Sequence, residues 1–482
     1  MPVYNYDVGI IGAGAAGIAA AKDAARIGAR TILIEKDEKR WGGNFHSGCI
    51  SSKTLIHSAK VWSLARRTEE FGLPKLELPA VCLGSLMARL RSVVDAIREK
   101  ESHERFSNLG VTVRFGKARF TDRHVVSIEG WQVSAETWII ATGSRPAVPA
   151  LEGLEQVPYW TTDTIFSMER LPGRLLVLGG GQAGVEIAQA FRRLGSDVTI
   201  VESEQQLLYS EDEDIAGFLE ERLEAEGIHV CTGTTPLKAE ATGSSVRLLV
   251  KRTADDAKSW TIEGDALLVA IGRAPNTEDL DLRTAGVPFF PRGIPAYSNM
   301  RTGARGIYVC GDVNGMFPYA NVAEYEARVA VANILLKMST NADYSKIPWC
   351  IYTDPEIASV GFNEKRAKAG DVEYRLYTAA YRDVDRALVE GTPEGRIKIL
   401  VGAKGRVLGC QIAGNRAGEL IHEWVAAVNG RMKISDMTKW VRTYPALAGI
   451  TKNAVDLIDS SRFTEERTQK FLRFLLRLRG GK

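Results

Sequence analysis

Gly12-Ala13-Gly14-Ala15-Ala16-Gly17 and Gly179-Gly180-Gly181-Gln182-Ala183-Gly184 set three glycines at one shared spacing, and that spacing suits phosphate binding. The first glycine of such a run allows a tight turn, the second lets backbone approach a pyrophosphate, and the third lets the following helix pack close to its strand. The N-terminus of that helix meets the phosphate charge with unpaired amides. In both copies a glutamate, Glu35 or Glu202, stands 23 positions past the first glycine, where its carboxylate would accept hydrogen bonds from ribose hydroxyls. One glycine run alone is as well read as a plain turn. Two runs with the same acid at the same distance point to two bound dinucleotides.

The elements that must position these residues are written beside them. Asp7-Val8-Gly9-Ile10-Ile11 reads as a buried strand, an Ala-rich helix extends to Arg26, and Thr31-Ile32-Leu33-Ile34 is a second strand ending at Glu35. Leu175-Leu176-Val177-Leu178, a helix and Val198-Thr199-Ile200-Val201 repeat the arrangement before Glu202. Trp41-Gly42-Gly43 adds a backbone turn after the first copy. Ser203, Glu204, Gln205 and Gln206 follow the second, so no arginine is set to meet a 2′-phosphate, and Glu202 would repel one. The second site is therefore expected to take NADH rather than NADPH. Thr142-Gly143 ends a further apolar strand in a turn open to a ligand. Asp312, after Gly311, reads either as an acceptor for ligand hydroxyls or as a helix N-cap.

A chain of 482 residues exceeds one hydrophobic core, so several domains are expected. Its 45% apolar and 25% charged content is that of a globular protein, and no run approaches the roughly 18 apolar residues of a membrane helix. A net charge of +3 gives no reason to expect nucleic acid as a partner. Met1 to Tyr6 lack a basic leader, which points to the cytoplasm. The six cysteines, Cys49, Cys82, Cys231, Cys310, Cys350 and Cys410, show no metal-ligand spacing, and no metal is expected.

Further marks carry a resemblance that runs nearly end to end. Trp138-Ile139-Ile140-Ala141-Thr142-Gly143-Ser144, Ala270-Ile271-Gly272-Arg273-Ala274-Pro275-Asn276, Ile307-Tyr308-Val309-Cys310-Gly311-Asp312 and Thr353-Asp354-Pro355-Glu356-Ile357-Ala358-Ser359-Val360-Gly361 resemble the pyridine nucleotide–disulfide oxidoreductases, the family of dihydrolipoamide dehydrogenase, glutathione reductase and mercuric reductase. The resemblance implies an α/β fold with two Rossmann-like dinucleotide-binding domains, for FAD and NAD, and a C-terminal α+β dimerisation domain. The implied FAD domain spans 1–150 and 276–345, the NAD(P) domain 151–275 and the interface domain 346–460, within a homodimer. Within the last domain, Ile397–Val401 and Val407–Ile412, joined across Gly402 to Gly405, read as antiparallel strands. The family pattern places Lys53 beside the flavin N5, paired with Glu186, where its charge would stabilise the reduced ring. It also adds Ala118, Gly272 and Ala320 to the cofactor-binding set of Gly12, Gly14, Gly17, Glu35, Gly42, Gly43, Lys53, Thr142, Gly143, Gly179, Gly181, Gly184, Glu202 and Asp312.

Two departures change the implied chemistry. Disulfide members carry G-G-x-C-x-x-x-x-C-x-x-x-K, whereas Gly42-Gly43-Asn44-Phe45-His46-Ser47-Gly48-Cys49-Ile50-Ser51-Ser52-Lys53 keeps only the second cysteine in a loop one residue shorter. Near the C-terminus their His-Pro-x-x-x-Glu is here Tyr444-Pro445-Ala446-Leu447-Ala448-Gly449, without imidazole or orienting carboxylate. A neutral phenol with a pKa of about 10 does not shuttle protons as histidine does. Dithiol–disulfide exchange is thereby excluded as the expected activity, and this form is similar to a branch described as NAD(P)H:quinone reductases. The expectation is an FAD-dependent NADH oxidoreductase serving a quinone-like or other small acceptor. Its acceptor pocket would be lined by Asn44, Phe45, Cys49 and the neighbouring subunit's Tyr444.

Two alternatives stay open. Cys49 is either a packing residue or a thiolate, lowered in pKa by Lys53 or a helix start near Ser51, that would make the protein a persulfide or peroxide reductase. Otherwise the chain is an electron-transfer subunit serving a partner protein. The tail 461–482 suits that role: Phe471, Phe474, Leu475 and Leu478 share one helical face while Lys470, Arg473 and Arg477 lie on another. Such a helix fits an anionic membrane surface, the protein's own dimer or a partner.

Overall fold

The computed structural model describes residues 3–43, 45–243, 245–254, 258–464, 469–470 and 473–476. Apolar runs rich in Val, Ile and Leu form the centres of two parallel sheets. In the first, Val111–Phe115, Thr31–Glu35, Tyr6–Ile11 and Trp131–Ile140 lie side by side, with Ile307–Val309 parallel to the last. Ile10 stands in register with Leu33 and Ile139, all fully buried. Parallel strands are covered on both faces, which is why they read as continuous apolar runs rather than alternating ones. Val125–Ile128 and Ala118–Asp122 extend this sheet as an antiparallel meander.

The second sheet repeats the plan with His229–Cys231, Asp197–Val201, Arg174–Leu178, Ala266–Val269 and Trp160–Thr161, all parallel. A three-stranded antiparallel sheet, Thr234–Thr242, Ser245–Arg252 and Ser259–Gly264, shares its apolar core. The chain leaves the first sheet through Ser144–Pro146 and returns through Arg273–Pro275, and these two short strands pair antiparallel as a ribbon.

A five-stranded antiparallel sheet follows in the order Pro348–Ile351, Glu356–Gly361, Val407–Gly414, Arg396–Val401 and Arg375–Ala380. The expected pairing across Gly402 to Gly405 is present, Ile397 facing Ile412. Helices Ala417–Leu420, His422–Asn429 and Gly449–Thr464 follow this pair.

The chain divides into two compact units, one of Met1–Trp62, Pro79–Ser203 and Gly227–Asp343, the other of Ser63–Leu78, Glu204–Glu226 and Tyr344–Lys482. Glu204–Glu226 thus groups with the C-terminal sheet rather than with the rest of 151–275. The reason is polar: buried Glu211 accepts from Trp349 Nε1 at 2.8 Å and Gln411 Nε2 at 2.7 Å. Beside it Lys398 Nζ lies 2.8, 2.7 and 2.8 Å from carboxylate oxygens of Asp212, Asp214 and Glu364, so an ammonium satisfies that acidic group. Among the described residues no helix is long and apolar enough to cross a membrane. Of the tail's apolar face, Phe474 and Leu475 are described and exposed, while Phe471 and Leu478 lie outside the described residues.

Candidate active site

The two glycine loops divide their requirements in the same way. A Cβ on Gly12 (φ +103°) would sit 2.4 Å from the Ala141 carbonyl oxygen, and one on Gly17 would sit 1.8 Å from that of Gly12. In the second loop Gly179 (φ +109°) and Gly184 meet Ala270 O at 2.4 Å and Gly179 O at 2.0 Å. These four glycines are demanded by the protein's own packing. The middle ones are not, since a Cβ on Gly14 or Gly181 would meet nothing within 4 Å. Each of these is the N-cap of a 13-residue helix, Ala15–Ile27 or Gln182–Leu194. Room at the middle glycine, in front of the first-turn amides of its helix, is the cradle a pyrophosphate needs, so both loops fit a dinucleotide.

The paired glutamates also act alike. Glu35 Oε2 accepts from Ala13 N at 2.7 Å and Glu202 Oε2 from Gly180 N at 2.6 Å. Each acid holds the residue after its loop's first glycine. Burial pushes the Glu35 carboxyl up from its ordinary value, while amides of Ala13, Asp37 and Lys36 pull it back. The Trp41-Gly42-Gly43 turn closes against the first loop: Gly42 N donates to Ala13 O at 3.0 Å, and a Cβ on Gly43 would come 3.1 Å from Gly14 Cα.

Lys53 lies in helix Ser51–Ala65 and Glu186 in helix Gln182–Leu194. Their side chains meet, Lys53 Nζ donating to Glu186 Oε2 at 2.7 Å. Glu186 is 2% exposed and Lys53 32%, so the pair presents its positive end outward. Cys49 sits in a π-helical turn, Phe45–Ile50, that runs into the Lys53 helix. Its thiol is exposed yet ringed by protein, and this desolvation pushes its pKa up despite the nearby Lys53 ammonium. Glu186 and Asp312 reinforce the rise and Arg273 opposes it. This direction is opposite to the lowering that Lys53 and the helix start would give, desolvation by the surrounding protein outweighing one partly solvated cation. Asn44 lies outside the described residues, as do the side chains of Phe45 and His46.

Across the same unit, Thr142 Oγ1 donates to Asn276 O at 2.7 Å and Asn276 N donates to Gly143 O at 2.9 Å. Gly272 (φ +118°) follows the second sheet's Ala266–Val269 strand, and its carbonyl accepts from Ala147 N. Ala118 and Ala320 open the strand Ala118–Asp122 and the helix Ala320–Leu335. Asp312 begins a single 3-10 turn whose N-cap is Gly311, and its Oδ2 accepts from Ser144 Oγ at 2.5 Å. Sequence reasoning missed Glu326, which is fully buried and accepts from Gly311 N at 2.6 Å and Asn314 Nδ2 at 2.9 Å. The signal was present: Glu326 falls in line with Ala323, Ala327 and Ala330 on the buried face of its helix. An acid on an apolar stripe asks for buried donors.

In the second unit Tyr444 is exposed, and its Oη donates to Asp385 Oδ2 at 2.8 Å. That hydrogen bond, with the carboxylate's charge, raises the phenol's pKa. The motif itself offers no carboxylate, and the one that meets the phenol comes from another element, helix Asp385–Val389.

Comparison with known proteins agrees with this arrangement. Residues 6–327 match the family described as "Pyridine nucleotide-disulphide oxidoreductase", and 347–455 match its dimerisation domain. A mercuric reductase of Lysinibacillus sphaericus is 31% identical over 447 residues, covering 92% of this chain and 81% of that protein. A dihydrolipoyl dehydrogenase of Bacillus subtilis is 32% identical over 453 residues, 91% of this chain and 95% of the other. Among solved structures, LpdA from Mycobacterium tuberculosis superposes with a TM-score of 0.85 at 27% identity, covering 94% of this chain and 99% of that one. The HOCl-induced flavoprotein disulfide reductase RclA from Escherichia coli, as its Cu(II) complex, gives 0.83 at 26% identity over 95% and 100%.

Proposed function

This chain belongs to the pyridine nucleotide–disulphide oxidoreductase family, and from that premise we propose an FAD-dependent NADH oxidoreductase that serves a quinone-like or other small acceptor without a redox disulfide. The observation that carries this reading is one set of residues. Both dinucleotide cradles and the Lys53–Glu186 pair stand intact, while the segment from Gly42 to Lys53 holds a single cysteine and Tyr444 takes the histidine's place. FAD bound in the first cradle supplies hydride and electron chemistry between a reduced nicotinamide and an acceptor. The protein's part would be to hold it: Glu35 fixes the turn at Ala13, the first turn of helix Ala15–Ile27 would offer its amides to the pyrophosphate, and Glu186 keeps the Lys53 ammonium oriented.

Glu202 supports the preference for NADH, since a carboxylate with Ser203, Glu204, Gln205 and Gln206 after it disfavours a 2′-phosphate. The raised Cys49 pKa weighs against a thiolate reductase. A homodimer is supported by the dimerisation-domain match and by exposed Leu388, Val389 and Val441 on the second unit. Tyr444 would then line the neighbouring subunit's acceptor pocket beside Cys49, and the basic tail would dock on a partner or an anionic membrane surface.

The test is an anaerobic acceptor screen on NADH-reduced enzyme, followed at the flavin absorbance. Benzoquinones or menadione should restore the oxidised spectrum in C49S as in wild type, and NADPH should reduce the enzyme at least about tenfold more slowly than NADH. Rapid turnover of lipoamide or glutathione disulfide, or equal rates with the two nucleotides, would contradict the reading.

A further inference from the structure

The ribbon of Ser144–Pro146 and Arg273–Pro275 is where the chain crosses between the sheet carrying the first glycine loop and the sheet carrying the second. One side chain there touches both halves. Arg273, 16% exposed, donates through Nε to Ser144 Oγ at 2.7 Å, through Nη2 to Ser144 O at 3.0 Å, and through Nη1 to Asp163 Oδ1 at 3.1 Å. Asp163 follows Trp160–Thr161, the edge strand of the second sheet. Ser144 Oγ passes the contact on to Asp312 Oδ2 at 2.5 Å, which also lies 3.8 Å from Arg273 Nε, and Asp312 follows Ile307–Val309 of the first sheet.

We infer that Arg273 is a positioning residue that clasps the two dinucleotide-binding halves together and so fixes the separation and tilt of their two sites. The inference rests on the FAD and NADH assignments proposed for the two cradles. A guanidinium suits the task because its planar fork aims donors in several directions at once, where an ammonium is a compact point charge. Arg145, on the same ribbon, is a natural contrast. It pairs with Glu278 at 2.7 Å and donates to Pro275 O at 3.1 Å, contacts that stitch the ribbon to its own continuation and reach neither Asp163 nor Asp312.

The experiment compares R273Q, R273K, S144A and R145Q in the FAD-loaded protein, by amide hydrogen exchange and by anaerobic flavin reduction at saturating NADH. R273Q and R273K should exchange about tenfold faster at residues 144–146, 273–276 and 311–314. Flavin reduction should slow about tenfold in both, because positioning is lost while both ligands still bind. R273K keeps a cation at the position, so its failure to rescue separates a lost fork from a lost charge. S144A, which cuts both the Arg273 Nε contact and the bridge to Asp312, should release 144–146, 273–276 and 311–314 together, and R145Q should match wild type in flavin reduction and in exchange at 311–314. Wild-type exchange in R273Q, full rescue by lysine, or an equal response in R145Q would overturn the inference. Exchange needs no electron transfer, so a wild-type enzyme that NADH failed to reduce would count against the proposed activity and leave the clasp to be judged by exchange.

Discussion

Substituting the middle glycines separates what the loops need for folding from what they need for ligands. Gly14 has φ −82° and ψ −168°, an extended conformation open to any residue, and its added Cβ meets nothing within 4 Å. G14A should therefore alter stability by no more than about 1 kcal/mol. The methyl group nevertheless enters the space in front of the helix amides. Losing one charge-assisted hydrogen bond there weakens a phosphate by about 1.5–3 kcal/mol, roughly 10- to 150-fold in Kd. G17A differs, because its Cβ would lie 1.8 Å from Gly12 O. The helix must back away from the strand, at about 1–3 kcal/mol or more.

The assay is FAD content, FAD Kd from fluorescence titration of the apoprotein, and melting temperature, with NADH KM measured where FAD is retained. G14A should melt near wild type and lose FAD affinity by at least about tenfold, whereas G17A should lose stability as well. G181A should keep its FAD and raise the NADH KM. FAD affinity at the wild-type level in G14A would refute the cradle argument. FAD loss in G181A with retention in G14A would reverse the assignment of the two loops.

K53M leaves the buried Glu186 carboxylate without its ammonium; between the limits for exposed and buried pairs this should destabilise the protein by about 1–3 kcal/mol in urea denaturation. Pairing it with E186Q should recover part of that loss, and strict additivity of the two variants would argue against a coupled pair. Desolvation by the protein around it disfavours the Cys49 anion, so iodoacetamide should alkylate it more slowly at neutral pH than a free thiol of pKa about 8.5, accelerating as pH climbs beyond that value; a rate already level below pH 8 would sink this. The Asp385 carboxylate favours the protonated phenol, so D385N should lower the Tyr444 pKa toward the ordinary value of about 10, read by ultraviolet difference titration against Y444F; coincident curves for D385N and wild type would dismiss the hydrogen bond.

The geometry of the two glycine loops was legible because its causes are local. Gly12 and Gly17 answer to backbone within the strand, turn and helix that carry them, and to one neighbouring strand end at Ala141. The Lys53–Glu186 pair spans 133 positions and was reachable only through matched motifs. Arg273 stood inside a recognised motif, but nothing near it in sequence says that Ser144, Asp163 and Asp312 converge there. Those contacts arise from sheet order and a two-stranded crossing. The grouping of 204–226 with the C-terminal sheet was hidden for the same reason, since Glu211 finds Trp349 and Gln411 138 and 200 positions away.

The Tyr444 site shows how far a motif substitution can be read. Loss of the histidine and of the carboxylate five positions beyond it was evident, and it correctly removed an imidazole that carries a transferable proton near neutral pH. The motif could not show that Asp385, 59 positions earlier, would supply a carboxylate. The replacement is not an equivalent dyad. A phenol has one proton, and here it is given to Asp385, so the rest of Tyr444 Oη offers lone pairs. Such an oxygen accepts a hydrogen bond from a hydroxyl and holds its own proton more tightly than a free phenol does. On the proposed reading, the change exchanges a proton shuttle suited to thiols for a fixed acceptor suited to the hydroxyls that form when a quinone-like molecule is reduced.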